Sequence, residues 1–123
     1  MPDLILSSPA KRAKKTAGAI AKKIDYPKKK IVYDKNMYHA GARYLFELVK
    51  SLNDESETVM LFGHNPGFND FADMLLTKNR VYNIPTTGVY CIRFDVNHWQ
   101  NVKECKGIFV FFDYPKRYEE ERD

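Results

Sequence analysis

Residues 61–68, "LFGHNPGF", join an apolar run to a helical pattern through a short turn. The apolar run "TVMLFGH" (residues 58–64) is typical of a buried strand. The segment "GFNDFADMLLT" (residues 67–77) gathers its apolar side chains on one side of a helix. His64 therefore stands where a strand ends and a helix begins. Because ligands of open α/β sheets bind outside the carboxyl ends of the strands, His64 is a candidate binding residue.

A second strand-to-helix step lies near the start of the chain. "DLILSSP" (residues 3–9) is an apolar run closed by two serines and a proline, which predicts another buried strand. Residues 10–24 follow as an amphipathic helix with lysines on its outer side. Its apolar positions recur at three- and four-residue spacing: Ala13, Ala17, Ile20, Ala21 and Ile24.

The remaining pattern continues this alternation. It predicts a short strand at residues 31–34, a helix at residues 40–52, and strands at residues 88–96 and 107–115. Strands that alternate with helices indicate an α/β domain whose sheet is largely parallel at its start. We therefore expect one domain over residues 1–118, followed by a charged tail at residues 119–123.

Composition limits the class of protein. The chain has 123 residues, of which 44% are hydrophobic, so it can form one domain with a real core. Two cysteines are too few for a disulfide scaffold, and no Cys/His cluster suggests a metal. The sequence holds no apolar run long enough to span a membrane and no signal peptide pattern. We expect a soluble cytoplasmic protein without a cofactor or a membrane partner.

Charge is divided unevenly along the chain. Residues 1–50 hold twelve Lys and Arg against four Asp and Glu, whereas residues 51–123 hold eight against twelve. A basic half of this kind attracts anions such as phosphorylated groups, an acidic protein or nucleic acid. The plainer alternative is a solvated helix face followed by a lysine-rich loop.

Two residues at the predicted strand ends have the chemistry of a phosphate site. Arg12 falls in the first turn of a helix, where free backbone N–H groups favour an anion and a guanidinium adds bidentate recognition of oxygens. His64 can donate hydrogen bonds to a phosphate. Taken singly, Arg12 could equally be a surface cation and His64 a polar residue satisfied by its neighbours.

Four segments in order resemble one family. "DLILSSPAKRAKKTA", "MYHAGARYLFELV", "VMLFGHNPGF" and "IPTTGVYCIRFD" are similar to segments of the histidine phosphatase superfamily, and in particular of its SixA-type phosphohistidine phosphatases. The resemblance covers residues 2 to about 118. It implies a phosphoglycerate mutase-like fold, a three-layer α/β/α sandwich with a mostly parallel sheet. It also implies catalysis without a metal.

The resemblance assigns roles to five residues of this chain. Arg12 corresponds to the phosphate-binding arginine after Ser-Pro, and His64 to the pocket histidine that binds the phosphoryl oxygens and stabilises the transferring group. Ser8, Asn65 and Thr87 correspond to supporting residues near the phosphate.

The family's nucleophile has no counterpart in this sequence. The family's first strand ends in Arg-His-Gly, whose histidine forms the phosphohistidine intermediate, and this chain contains no such tripeptide. His98 is expected in a surface turn. His39 is expected at a helix start, as a cap or rim residue or, in the alternative, as a contact on the substrate side. Because "PDLILSSP" resembles the family's second strand, we expect the domain to be truncated, without its first strand and helix. The sheet edge left exposed would favour a homodimer or else leave a strained, less stable monomer.

Two functional hypotheses follow. In the first, the intact protein removes phosphate from a phosphohistidine-bearing signalling or phosphotransfer protein, and the chain as given is inactive. In the second, the chain is a non-catalytic module that binds phosphate through Arg12 and His64. Nucleic-acid binding is disfavoured because few aromatic residues are interleaved with the lysines.

Overall fold

The computed structural model describes residues 2–64, 67–76 and 89–113. Its strands are β1 (Leu4–Ser7), β2 (Val32–Tyr33), β3 (Val59–Phe62), β4 (Val89–Arg93) and β5 (Ile108–Asp113). Its α-helices are α1 (Lys11–Lys23), α2 (Ala42–Lys50) and α3 (Gly67–Leu75). Short 3₁₀ turns occupy Lys28–Lys30, Lys35–Met37 and Trp99–Asn101.

The first three strands form a parallel sheet in the order β2-β1-β3. Ser7, the last residue of β1, is paired with Tyr33 of β2 and with Phe62 of β3. The three strands therefore end in one row, and the loops that leave them emerge side by side. This confirms the expected parallel arrangement of the N-terminal strands.

Helices cover both faces of this sheet. Alternate residues of a strand point to opposite faces, and Met60 and Phe62 pack with Ile5 against the alanine stripe of α1. Leu61, between them, packs with the opposite cluster, which contains Leu45 of α2 and Phe71 of α3. The expected three layers, helix on sheet on helices, are confirmed.

β4 and β5 form a separate antiparallel pair. Gly107, just before β5, makes a parallel bridge to Leu76 after α3. A side chain at position 107 would meet the Leu75 carbonyl oxygen at 2.7 Å, so only glycine allows this approach. Val102, which is 1% exposed, lies between β4 and β5 in the chain. It packs into the cluster of α2 and α3 and so joins the antiparallel pair to the core.

Element boundaries differ modestly from those expected. The helix expected over residues 40–52 spans Ala42–Lys50, because Gly41 is still extended, with φ −91° and ψ 178°. The helix expected over residues 10–24 ends at Lys23, and Asp25 turns the chain away in the left-handed region at φ 60°. The tail at residues 119–123 lies outside the described residues, and the domain limits remain a prediction.

Within residues 2–64, 67–76 and 89–113, no helix combines the length and the apolar character needed to cross a lipid bilayer.

Candidate functional site

Three loops meet at the carboxyl ends of the parallel strands. The first follows β1 and carries Ser8, and the second follows β3 and carries His64. The third is the loop before α2, which carries Tyr38. The side chains of all three residues are in direct or near contact, so this edge of the sheet is the candidate site.

Ser8 and His64 are joined by a hydrogen bond. His64 Nε2 lies 2.8 Å from Ser8 Oγ, and Ser8 is fully buried while His64 is partly exposed. Ser8 Oγ also accepts a hydrogen bond from the Ala10 backbone N–H at 3.2 Å. The Ser8 hydroxyl is therefore held from two sides and fixes the orientation of the imidazole ring.

The other ring nitrogen of His64 is Nδ1. Among the described residues, Nδ1 of His64 has no hydrogen-bond partner. With Nε2 occupied by Ser8, Nδ1 is the atom that can donate a proton or a hydrogen bond to an anion. One nitrogen of the His64 ring is thus held by the buried Ser8 hydroxyl, and the other can donate a hydrogen bond.

Tyr38 forms an aromatic wall beside His64. The two ring centroids lie 5.5 Å apart with the ring planes tilted by 39°. Tyr38 is 49% exposed, and its ring also meets His39 edge-on at 4.6 Å. Composition and spacing alone did not single out Tyr38; the only signal was its place in the "MYHAGA" segment.

The loop carrying Tyr38 is held by the sheet and by α2. Asp34 donates its backbone N–H to the Ser7 carbonyl at 3.0 Å, and its carboxylate accepts from the Tyr44 hydroxyl at 2.5 Å. This hydrogen bond to Asp34, reinforced by desolvation, raises the pKa of Tyr44. Tyr44 therefore keeps its proton at neutral pH and clamps the start of the loop.

Two glycines allow the loops to come this close. A Cβ atom at Gly67 would collide with the backbone carbonyl oxygen of Ala40, and one at Gly63 would collide with the Phe68 ring. Neither glycine has a positive φ, so the requirement is space. The absence of side chains at both positions lets the start of α3 sit against the Tyr38 loop and brings His64 beside it.

The start of α1 supplies a second anion-binding feature. No side chain caps this helix end, and its first turn contains no acidic residue. The first N–H groups of a helix point outward and carry partial positive charge. Arg12 is the second residue of α1 and its side chain is exposed. Among the described residues, Arg12 has no ion-pair partner that would compete with a ligand.

The structure brings some of the expected site residues together. Ser8 and His64 are hydrogen-bonded, and Arg12 lies in the first turn of the helix that Ser8 leads into. Asn65 and Thr87 lie outside the described residues. Their roles, like those of the other three, remain predictions.

The other two histidines lie on the surface. His98 is exposed, as expected, and its Nδ1 lies 2.9 Å from the Asp54 carboxylate. Hydrogen bonds from the Trp99 backbone N–H and from His98 lower the pKa of Asp54. His39 is exposed in the loop before α2, at the rim of the candidate site. Over the described ranges, no three His, Cys, Asp or Glu side chains cluster as metal ligands would.

Comparison with solved structures places this geometry in a known fold. A protein assigned as the phosphohistidine phosphatase SixA, from Agrobacterium tumefaciens, matches with a TM-score of 0.72 and 25% sequence identity. The match covers 94% of this chain and 69% of that one. No protein-family profile matches the sequence, and no curated protein matches it significantly. The expected phosphoglycerate mutase-like α/β fold is thus confirmed.

Proposed function

We propose that this protein is a phosphohistidine phosphatase of the SixA type, acting on a signalling or phosphotransfer protein in the cytoplasm. The observation that carries the proposal is the Ser8–His64 hydrogen bond at the strand ends, beside the uncapped start of α1. The similarity of the whole chain to the SixA structure supports a phosphatase in general. The choice of phosphohistidine as the substrate is the more specific part of the proposal.

In this proposal the phosphoryl group binds between α1 and His64. The Arg12 guanidinium and the first N–H groups of α1 bind its oxygens, and His64 Nδ1 donates a further hydrogen bond. Ser8 holds the His64 ring, and Asn65 and Thr87 would support the pocket. These donors stabilise the charge that builds up on the phosphoryl oxygens in the transition state.

The nucleophile is the part that this sequence does not supply. A histidine nitrogen would attack phosphorus while the bond to the substrate histidine breaks and its nitrogen takes up a proton; water would then hydrolyse the new P–N bond. This chain contains no Arg-His-Gly tripeptide for that role. We therefore expect the 123 residues alone to bind phosphate without turnover.

The phosphate site is tested by two substitutions. His64→Ala and Arg12→Ala should each weaken inorganic phosphate binding about tenfold or more, because each removes a charge-assisted hydrogen bond. Calorimetric titration of the folded variants measures the effect. His98→Ala is the matched control, since His98 is exposed and bonded to Asp54, and its affinity should equal that of the wild type. Unchanged affinity in both site variants would disprove the assignment.

A second candidate function is a phosphate-binding module without catalysis. The observation that favours it is that Arg12 and His64 are present while the nucleophile motif is not. The intact mass and N-terminal peptide of the native protein distinguish the two. A native form carrying Arg-His-Gly ahead of residue 1 supports the phosphatase, whereas a native form that begins at Met1 supports the module.

A further inference from the structure

A groove rich in lysines runs along the solvent side of α1. Four lysines line it, three from α1 and one from the 3₁₀ turn that follows, and the rest of its lining is uncharged. Eight residues define the lysine groove: Lys14, Lys15, Gly18, Ala19, Lys22, Lys28, Ile31 and Tyr33. Its volume is about 460 Å³.

The shape of the lysine groove depends on a residue that the helix does not favour. Gly18 lies in the middle of α1, where glycine is less favourable than alanine. It has no positive φ, and a Cβ there would meet only Lys28 Cε at 3.7 Å, an ordinary contact. Backbone geometry therefore does not require glycine. What glycine provides here is an open floor between Lys15 and Lys22.

The lysine groove reaches the edge of the candidate site. Tyr33 is paired with Ser7, the residue before Ser8, so this lining residue lies one strand away from the start of the Ser8 loop. Lys14 Nζ lies 5.3 Å from the centre of the Tyr33 ring. A segment bound beside Tyr33 would therefore lie close to the candidate site.

We propose that the lysine groove binds an extended acidic segment of the protein whose phosphoryl group enters the candidate site. The inference rests on the proposed function and deepens it, because it names the surface that selects the partner. The argument for an acidic partner is charge complementarity, because four lysines and no acidic residue line the groove.

The spacing of the lysines specifies the segment. Lys14 and Lys22 are eight positions apart on α1, which corresponds to about 12 Å along the helix axis. An extended chain rises about 3.3 Å per residue, so the same distance spans about four residues. Carboxylates four positions apart point to the same side of an extended segment and would each meet a lysine.

A nucleic acid fits these observations less well. Single-stranded nucleic acids bind through free aromatic faces on which bases stack. Tyr33 is the one aromatic residue of the lysine groove, and Lys14 already lies over its ring.

The test measures binding of a fluorescent oligoglutamate peptide to the full chain by anisotropy. The Lys14→Gln, Lys15→Gln, Lys22→Gln, Lys28→Gln variant should lose about tenfold or more in affinity, since each exposed pair contributes a fraction of a kcal/mol. Gly18→Leu should weaken binding several-fold without a change of charge, because the leucine fills the floor. It should not unfold the protein, because leucine is the better helix former.

Matched controls separate the lysine groove from simple net charge and from the phosphate site. The Lys35→Gln, Lys50→Gln, Lys103→Gln, Lys106→Gln variant removes the same charge elsewhere and should bind oligoglutamate as the wild type does. The groove variants should keep wild-type affinity for inorganic phosphate. His64→Ala should keep its affinity for oligoglutamate, so failure of the phosphate site and failure of the groove give different results.

Four results would overturn the inference. They are absence of oligoglutamate binding by the wild type, equal losses in the groove variant and the charge control, wild-type binding by Gly18→Leu, and tighter binding of an oligothymidylate of equal charge. The last result would make the groove a nucleic-acid site.

Discussion

At the scale of single residues, Ser8 links the backbone of one loop to the functional group of another. Its hydroxyl is fully buried, accepts from the Ala10 N–H and contacts His64 Nε2 at 2.8 Å. A hydroxyl in this position cannot attack a substrate, because it has no access to solvent. In the proposed site its role is to orient the imidazole ring, which leaves Nδ1 to face the phosphate.

Replacing Ser8 by alanine should therefore affect both stability and His64. The Ala10 N–H and His64 Nε2 lose their partner, which should cost about 1–3 kcal/mol in the free energy of unfolding. The equilibrium between the two neutral tautomers of His64 should also change, and the nitrogen chemical shifts of the ring in NMR spectra report it.

Ser7→Ala is the matched control for this prediction. Ser7 is equally buried, but its hydroxyl donates to the Ser8 carbonyl at 2.8 Å and does not contact His64. It should lower stability and leave the His64 shifts unchanged. Identical His64 shifts in Ser8→Ala and the wild type would contradict the orienting role.

At the scale of elements, the close approach of α3 to the Tyr38 loop sets the width of the site. Gly67→Ala should destabilise the protein by about 2 kcal/mol, because its Cβ would collide with the Ala40 carbonyl oxygen and the backbone must move. Urea unfolding measures the loss. Gly41→Ala is the control, since nothing lies within 4 Å of a Cβ there; if both variants unfold at the same urea concentration, the contact does not hold the loops together.

The carboxylate of Asp3 holds the starts of β1 and β3 together, and its contribution to stability depends on pH. Asp3 accepts hydrogen bonds from the backbone N–H groups of Thr58 at 3.0 Å and Glu57 at 2.8 Å, and these lower its pKa. The pKa of Asp3 in the folded protein therefore lies below the value near 4 that it has in the unfolded chain. The carboxylate stabilises the fold above pH 4, and this stabilisation is lost as the pH falls through the pKa of the folded state.

The urea midpoint measured between neutral and acidic pH tests this expectation. The wild type should lose more stability below pH 4 than Asp3→Asn does, because asparagine has no proton to gain. Asp54, whose pKa is also lowered, acts in the same direction in both proteins and cancels in the comparison. Parallel pH profiles would contradict a pH-dependent contribution of the Asp3 carboxylate to stability.

At the scale of the whole molecule, an exposed edge of the parallel sheet is still only a predicted interface, and β2 and β3 are the two ends of the described sheet. β2 lies at one end of the sheet order, and Val32 is 46% exposed. An apolar edge strand is a template for pairing with another chain. We expect a concentration-dependent homodimer in analytical ultracentrifugation, and Val32→Lys should shift it to monomer. A wild-type protein that stays monomeric at high concentration would contradict this prediction.

The sequence alone determined the parallel α/β core, because strand-length apolar runs alternate along the chain with amphipathic helices such as α1, and this order is typical of a parallel sheet covered by helices. It also identified His64 and Arg12 as candidate phosphate-binding residues. Both lie just after predicted strands, and both correspond to phosphate-binding residues of the family that the sequence resembles. Only the tertiary structure decided that Ser8 holds His64 and that Tyr38 stands beside it, since these contacts join residues far apart in the chain. The physical reason is space: Gly63 and Gly67 let three loops meet, and the spacing of residues in a sequence does not encode which loops come within contact distance.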